Sequence, residues 1–341
     1  MIDLDGAAGG GQLLRSALTL SAHTGRPFRM MSIRENRPDP GLKAHHLTAV
    51  RLVADCCGAT VSGDTLGSTT LTFRPDAIRA GSYTADIGTA GSVALLFDTL
   101  VPLATSIDEP LTVRATGGTA VAWAPPVRYF LSVKLPLLDQ FGLSVDCTTH
   151  RVGYYPTGGG VVTMTVHPAT LSPLRLRQRG RLEAVHIFSE ASVDLEPAAV
   201  ADRQATTAAD ALTDRGFDPT IVASEHVETS APGSSLVFCG IYEQSRLGVS
   251  ELGRRGKPAE AVAFDAVEHF CRLHETGAVV DEHMADQLLI FLVFAGGSVR
   301  IPRLTDHVRS NRERISHFGY RIEQTDCSDG SVIFTAETPT Q

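Results

Sequence analysis

Apolar positions along this chain fall into a unit that recurs. A short apolar run leads into a glycine-rich loop, and the loop opens a stretch with apolar residues at helical spacing. Gly9-Gly10-Gly11 precedes Leu13, Leu14, Ala17 and Leu18. Gly88-Thr89-Ala90-Gly91-Ser92 precedes Val93, Leu95 and Leu96. Gly117-Gly118-Thr119 stands ahead of Pro125-Pro126 and then Phe130, Leu131 and Leu135. Period-2 runs read as strands and 3.6-residue spacing as helices, so the pattern predicts repeated strand–helix modules. Pro125-Pro126 suits a first helical turn, where the missing N–H costs little.

The pattern changes near residue 178. From Arg181 to Leu273 the chain reads as strand, helix, strand, strand, helix: Val185–Phe188, Ala198–Asp214, Thr220–Ala223, Ser235–Tyr242 and Ala259–His274. The glycine-loop unit is absent there and resumes after 275, with a helix over Asp286–Phe294 and then Gly296-Gly297. The expected fold class is therefore α/β (α+β). A large discontinuous domain, 1–177 and 276–341, carries a small inserted α+β domain, 178–275.

Composition narrows the function. The chain has 341 residues, 43% hydrophobic and 20% charged, as in ordinary globular proteins. The longest apolar stretch, Leu288–Gly296, is about half of the ~18–20 residues that span a bilayer. Met1-Ile2-Asp3-Leu4-Asp5 has neither a basic n-region nor an apolar h-region, and cysteines 56, 57, 147, 239, 271 and 327 form no CxxC. That pattern predicts a reducing, cytoplasmic setting with no membrane. A net charge of −8 disfavours coating of long nucleic acid but allows a local basic pocket for one nucleotide end.

Two basic clusters could form such a pocket. Ile33–Leu47 holds Arg34, Arg37, Lys43, His45 and His46 around Pro40-Gly41. Arginine forks bind phosphate bidentately, although a solvated basic loop would look the same. Arg303–Arg312 sets His307 among arginines, followed by Ser310 and Asn311. Imidazole is nucleophilic at neutral pH and can form a phosphoramidate. Helix-opening glycine loops either permit tight turns or present N–H groups to anions. Asp281-Glu282-His283 and Asp286 could hold a divalent ion or merely favour a helix start. The chain has no GxxxxGK[ST], GxSxG, HExxH or GxGxxG, which removes the chemistries those motifs carry.

Read together and in order, these segments resemble the RNA 3′-terminal phosphate cyclases over nearly the whole chain. Asp5-Gly6 and Gly9-Gly10-Gly11-Gln12-Leu13-Leu14-Arg15 resemble the family's opening. Ile33–Leu47 is similar to IRxxRxxPGLxxxH, and Gly88–Ser92 to G[ST]AGS. Gly117–Thr119 with Ala124-Pro125-Pro126 is similar to GGT…APP, and Gly153–Gly160 to G[FY]YPxGGG. Gly256–Glu260 and Ala285–Leu288 follow, and His307–Asn311 resembles H-x-x-[ST]-N.

The resemblance implies helices packed on sheets and a three-step reaction. His307 would attack the α-phosphate of ATP. AMP would pass to an RNA 3′-phosphate, and the adjacent 2′-hydroxyl would close a 2′,3′-cyclic phosphate. Cofactors would be ATP and Mg2+ or Mn2+, and the partner an RNA 3′ end bearing a phosphate; a homodimer stays open. It implies a nucleotide- and phosphate-binding set of Gly9, Gly10, Gly11, Gln12, Arg15, Arg34, Arg37, His46, Pro125, His283, Asp286 and Gln287, with Asp286 also a candidate metal ligand. The family's DG-x-x-GEGGGQ is here two residues shorter and lacks its glutamate. GGTDNPxAPP has become Gly117-Gly118-Thr119-Ala120-Val121-Ala122-Trp123-Ala124-Pro125-Pro126, and Asp98 stands where a glutamine is expected. A non-catalytic RNA-binding relative involved in ribosome biogenesis, or an enolpyruvyl-type transferase, are the competing readings.

Overall fold

The computed structural model describes residues 1–7 and 11–338. Within them one topology is built three times. The first copy runs β1 (Ile2–Asp5), α1 (Gly11–Thr24), β2 (Phe28–Met31), α2 (Ala44–Cys57), β3 (Thr60–Ser62) and β4 (Leu71–Arg74). Its sheet order is β1-β2-β4-β3. β1 and β2 are parallel, with Ile2 opposite Phe28, and the other pairs are antiparallel. A parallel pair needs a crossover, which α1 supplies.

The second copy runs β5 (Gly81–Asp86), α3 (Val93–Phe97) and β6 (Leu111–Gly117). A helix follows through α4 (Val127–Tyr129), a π turn over Phe130–Lys134, and α5 (Leu135–Asp139). β7 (Val145–Arg151) and β8 (Gly160–Val166) close the order β5-β6-β8-β7. Pro126 is extended (φ −59°, ψ 157°) and stands at the N-cap. The helix therefore starts one residue after the proline pair, because a residue's carbonyl can enter a helix while its own backbone remains outside.

The third copy opens with β9 (Leu174–Leu176) and is then interrupted. β10 (Leu182–Ser192), α6 (Val200–Thr213), β11 (Pro219–Val227), β12 (Ser234–Tyr242), β13 (Arg246–Leu252) and α7 (Ala259–Glu275) form a separate sheet, ordered β11-β10-β12-β13. Val185, Ile187, Leu212, Phe238 and Phe270 belong to its own apolar cluster. The copy then resumes with α8 (Glu282–Ala295), β14 (Gly297–Ile301), α9 (Asp306–His317), β15 (Glu323–Asp326) and β16 (Val332–Ala336). Its order, β9-β14-β16-β15, is that of the first two.

The repeated sheets bury one face. In β6, Leu111, Val113 and Ala115 are buried while Arg114 is exposed, the period-2 signature of a one-sided sheet. The helices fill the interior. Leu288 through Ala295 of α8 are all buried, as expected of a helix that is apolar all round.

β13 is an addition to the sequence reading of this segment. Gly248 broke its apolar run. In the fold a Cβ there would lie 2.1 Å from the Tyr129 ring, so the glycine admits that ring. The Gly248 N–H donates to Asp281 Oδ2 at 2.9 Å, and Tyr129 Oη donates to Asp281 at 2.7 Å. One carboxylate thus ties the interrupting sheet, α4 and the start of α8 together.

Candidate active site between the first and third repeats

Three helices bring their opening turns together. Gln12 stands in the first turn of α1, His307 in that of α9, and Asp286 one turn into α8. Thr305 caps α9, its Oγ1 accepting from Val308 N at 3.2 Å. The Gln12 amide bridges the other two: its Nε2 donates to the Asp286 carboxylate, and its Oε1 lies 2.7 Å from His307 Nδ1. Burial raises the Asp286 carboxyl to about 6, opposed by Arg15, His283 and Lys134 and helped by Asp98. At neutral pH it is mostly ionised and requires the amide NH2 to face it. The Gln12 carbonyl must then face His307, so Nδ1 carries the proton. His307 is exposed, and in a neutral imidazole with its proton on Nδ1 the lone pair lies on Nε2. Asn311, one turn further on α9, donates to the Asp286 carbonyl at 2.8 Å and fixes α9 to α8.

Beside this group lies a basic cluster. Arg15 is half-buried, and burial lowers its pKa against the pull of Asp98 and Asp286. Burial, then Arg15 and Arg34, push His45 down to about 4. Burial, then His45, Arg15, Arg34 and Lys43, push His46 down to about 2. Both imidazoles are neutral at pH 7. His46 Nδ1 accepts from Lys43 N at 3.1 Å, so its Nε2 bears the N–H. That atom points at Gly11, where a Cβ would sit only 2.3 Å away. Gly11 is needed for this approach. Neutral N–H donors, a guanidinium and the α1 N-terminus together favour an anion.

The remaining sequence candidates divide. Gln287 Oε1 accepts from Lys134 Nζ at 2.9 Å, and Lys134 also donates to Asp98 Oδ1 at 2.7 Å. His283 is exposed at the α8 start, edge-on to Tyr129 at 5.7 Å between ring centroids. Pro125 is buried ahead of α4. Arg34 Nη1 is spent on the Asp39 and Gly41 carbonyls, each at 3.0 Å, and Arg37 stands exposed on the same turn. Gly9 and Gly10 lie outside the described residues. Asp281 is a cap, accepting from His283 N and Met284 N. Lys134 was missed by the sequence reading. The signal was a lone charge inside the apolar run from Tyr129 to Leu138, and it falls in the π turn, a form common at functional sites.

Gln12, Arg15, Asp98, Lys134, Asp286, Gln287 and Asn311 line a narrow cavity of about 40 Å3. A larger one, about 530 Å3, lies between β13, α7 and β14 and reaches His283. Among the described residues no three His, Cys, Asp or Glu side chains are grouped to hold a metal. No described helix is long and apolar enough to cross a membrane.

Three α/β copies, one of them interrupted, with a histidine and a basic cluster at the seam between the first and the last, define the architectural class. The family model described as "RNA 3'-terminal phosphate cyclase" matches residues 7–322. A protein of that name from Halobacterium salinarum is 40% identical across 98% of this chain and 99% of its own. One from Methanopyrus kandleri is 41% identical across 87% and 86%, and one from Gloeothece citriformis is 40% identical across 94% of each. The chain belongs to the RNA 3′-terminal phosphate cyclase family.

Proposed function

We propose that the protein converts an RNA 3′-terminal phosphate to a 2′,3′-cyclic phosphate at the expense of ATP, through a histidine–AMP intermediate. The observation that carries the reading is the Gln12–His307 hydrogen bond, 2.7 Å long, which holds Nδ1–H and leaves Nε2 free. Nε2 attacks the α-phosphorus, a P–N bond forms, and pyrophosphate leaves. The resulting imidazolium keeps its Nδ1 proton against the Gln12 carbonyl, with Asp286 behind the amide to stabilise the positive charge. The RNA phosphate oxygen then attacks the same phosphorus, and the P–N bond breaks. Finally the 2′-hydroxyl attacks the activated 3′-phosphorus, its proton is lost, and AMP departs. The last step is intramolecular and gains from proximity.

Arg15, the His46 Nε2–H and the α1 N-terminus supply the positive environment for phosphate. Asp286 is the carboxylate best placed for a divalent ion, and Mg2+ commonly takes one or two carboxylates with the rest from phosphates and water. Such an ion would neutralise phosphate charge. The test is incubation with α-labelled ATP and Mg2+ or Mn2+. An acid-labile, base-stable protein label is expected, absent in His307→Ala. A wild-type protein that takes no label sinks the reading.

A further inference from the structure

Two large aromatics lie outside the core on adjoining loops. Trp123 is 99% exposed and Tyr155 is 74% exposed. Trp123 also has a left-handed backbone, φ +62°, a conformation that bulky residues rarely adopt. The exposure does not come from a loose chain. Thr119 N and Ala120 N donate to Gly153 O at 2.9 and 3.3 Å, and Gly153 N donates to Thr119 Oγ1 at 3.0 Å. Val127 N closes the first loop onto Thr119 O at 2.7 Å. Tyr154, between Gly153 and Tyr155, is 3% exposed, and its hydroxyl donates to Glu190 O at 3.0 Å. The loops are braced, and the two rings are held outward.

These loops connect to the candidate site by close backbone approaches. A Cβ on Gly158 would meet Ala90 Cα at 2.9 Å, and one on Gly118 would meet Ala90 O at 2.6 Å. In the same loop a Cβ on Gly91 would meet His45 Cβ at 2.8 Å. His45 stands next to His46 and Arg15. The loops that carry Trp123 and Tyr155 therefore pack on Gly88–Ser92, which packs in turn on His45 of the basic cluster. Arg151 adds a cation there, its Nε donating to Gly159 O at 2.5 Å.

We propose that Trp123 and Tyr155 form a stacking platform for the unpaired bases just 5′ of the RNA terminus, the end itself lying in the Arg15–His307 site. The proposal rests on the RNA reading above. Every base has a π face, so aromatic rings hold single strands with little regard to sequence, and a nearby cation follows the backbone.

Trp123 is the chain's one tryptophan, so its emission reports on this surface alone. A single-stranded ten-nucleotide RNA with a 3′-phosphate should quench it, and a single nucleotide bearing a 3′-phosphate should not. By anisotropy with labelled RNA, Trp123→Ala should bind the ten-mer roughly 5–150-fold more weakly. Trp123→Phe should recover most of that, and Tyr155→Ala should weaken binding in the same direction. Self-adenylylation should be unchanged in all three, which also shows that they fold. If the wild type takes the AMP label but emission is unmoved and the alanine variants bind RNA normally, the platform is wrong and the function stands. If the wild type takes no label but RNA quenches Trp123 and the variants lose RNA, the platform stands and the function falls. Emission that responds to protein concentration and not to RNA assigns the surface to a second copy of the chain, and overturns the proposal.

Discussion

Lys134 and Asp98 offer a quantitative test of how the narrow cavity is built. The Lys134 side chain is 2% exposed and the Asp98 side chain 10%. Lys134→Met keeps most of the volume and the contact with Phe291, whose ring centroid lies 5.7 Å from Nζ. It removes two hydrogen bonds and leaves the Asp98 charge buried without its partner, which costs about 3–5 kcal/mol. With ~2.1 cal/mol/K of unfolding entropy per residue over 341 residues, the total is near 0.7 kcal/mol/K. The melting midpoint should therefore fall by about 4–7 °C. Lys134→Met/Asp98→Leu should regain most of the loss, because a buried pair replaced by apolar groups is often neutral. Calorimetry on the wild type, both singles and the double decides it. A Lys134→Met loss below about 1 kcal/mol, or a double variant no better than the single, would refute the claim that the pair is a mutually dependent buried unit.

Other expectations follow from the same geometry. The Asp286 pKa is raised from 3.8 to about 6, so the folded state prefers the protonated carboxyl. That preference is fully present below pH 4 and lost as pH rises through 6, a difference of about 3 kcal/mol. In metal-free buffer the wild-type midpoint should decline across that window while Asp286→Asn stays flatter. Gln12→Ala should slow adenylylation about tenfold, the value of one hydrogen bond of ~1.4 kcal/mol, as read by label incorporation over time. Gly11→Ala should displace His46 and cost about 1–3 kcal/mol by overpacking, with weaker ATP binding by calorimetric titration. Asp281→Ala removes a helix cap and strands the buried Tyr129 hydroxyl. Together these are worth about 2–4 kcal/mol in chemical denaturation.

Much of the fold was legible because glycine and apolar period act locally. The loops before α1, α3 and α4 and the apolar run of α8 announce themselves within a few residues. β13 did not, since Gly248 is explained by the Tyr129 ring 119 positions away, a contact no local pattern carries. The same holds at the seam. His307, Gln12 and Asp286 each stood out in a motif, but their pairing spans 295 and 274 positions and exists only once the repeats have packed. Lys134 was hidden differently. Its partners Asp98 and Gln287 lie 36 and 153 positions away, so no local pattern announced the buried charge. Arg34, read from the sequence as a phosphate candidate, also has a local role that the sequence did not announce: its Nη1 donates to the Asp39 and Gly41 carbonyls.

The seam also bears on how the chain is made. α1 leaves the ribosome almost at once, whereas α9 emerges near the end, after a whole extra sheet has been translated between β9 and α8. At ~5–20 residues per second, the 295 positions from Gln12 to His307 correspond to about 15–60 seconds of synthesis. Through that interval Gln12 and the residues of the basic cluster are in the chain while their imidazole partner is not. A chain cut short anywhere before α9 would retain Arg15 and His46 yet lack His307, the residue to which the proposal above gives the nucleotide. On that proposal, a chain becomes able to carry AMP only once its last repeat has been made.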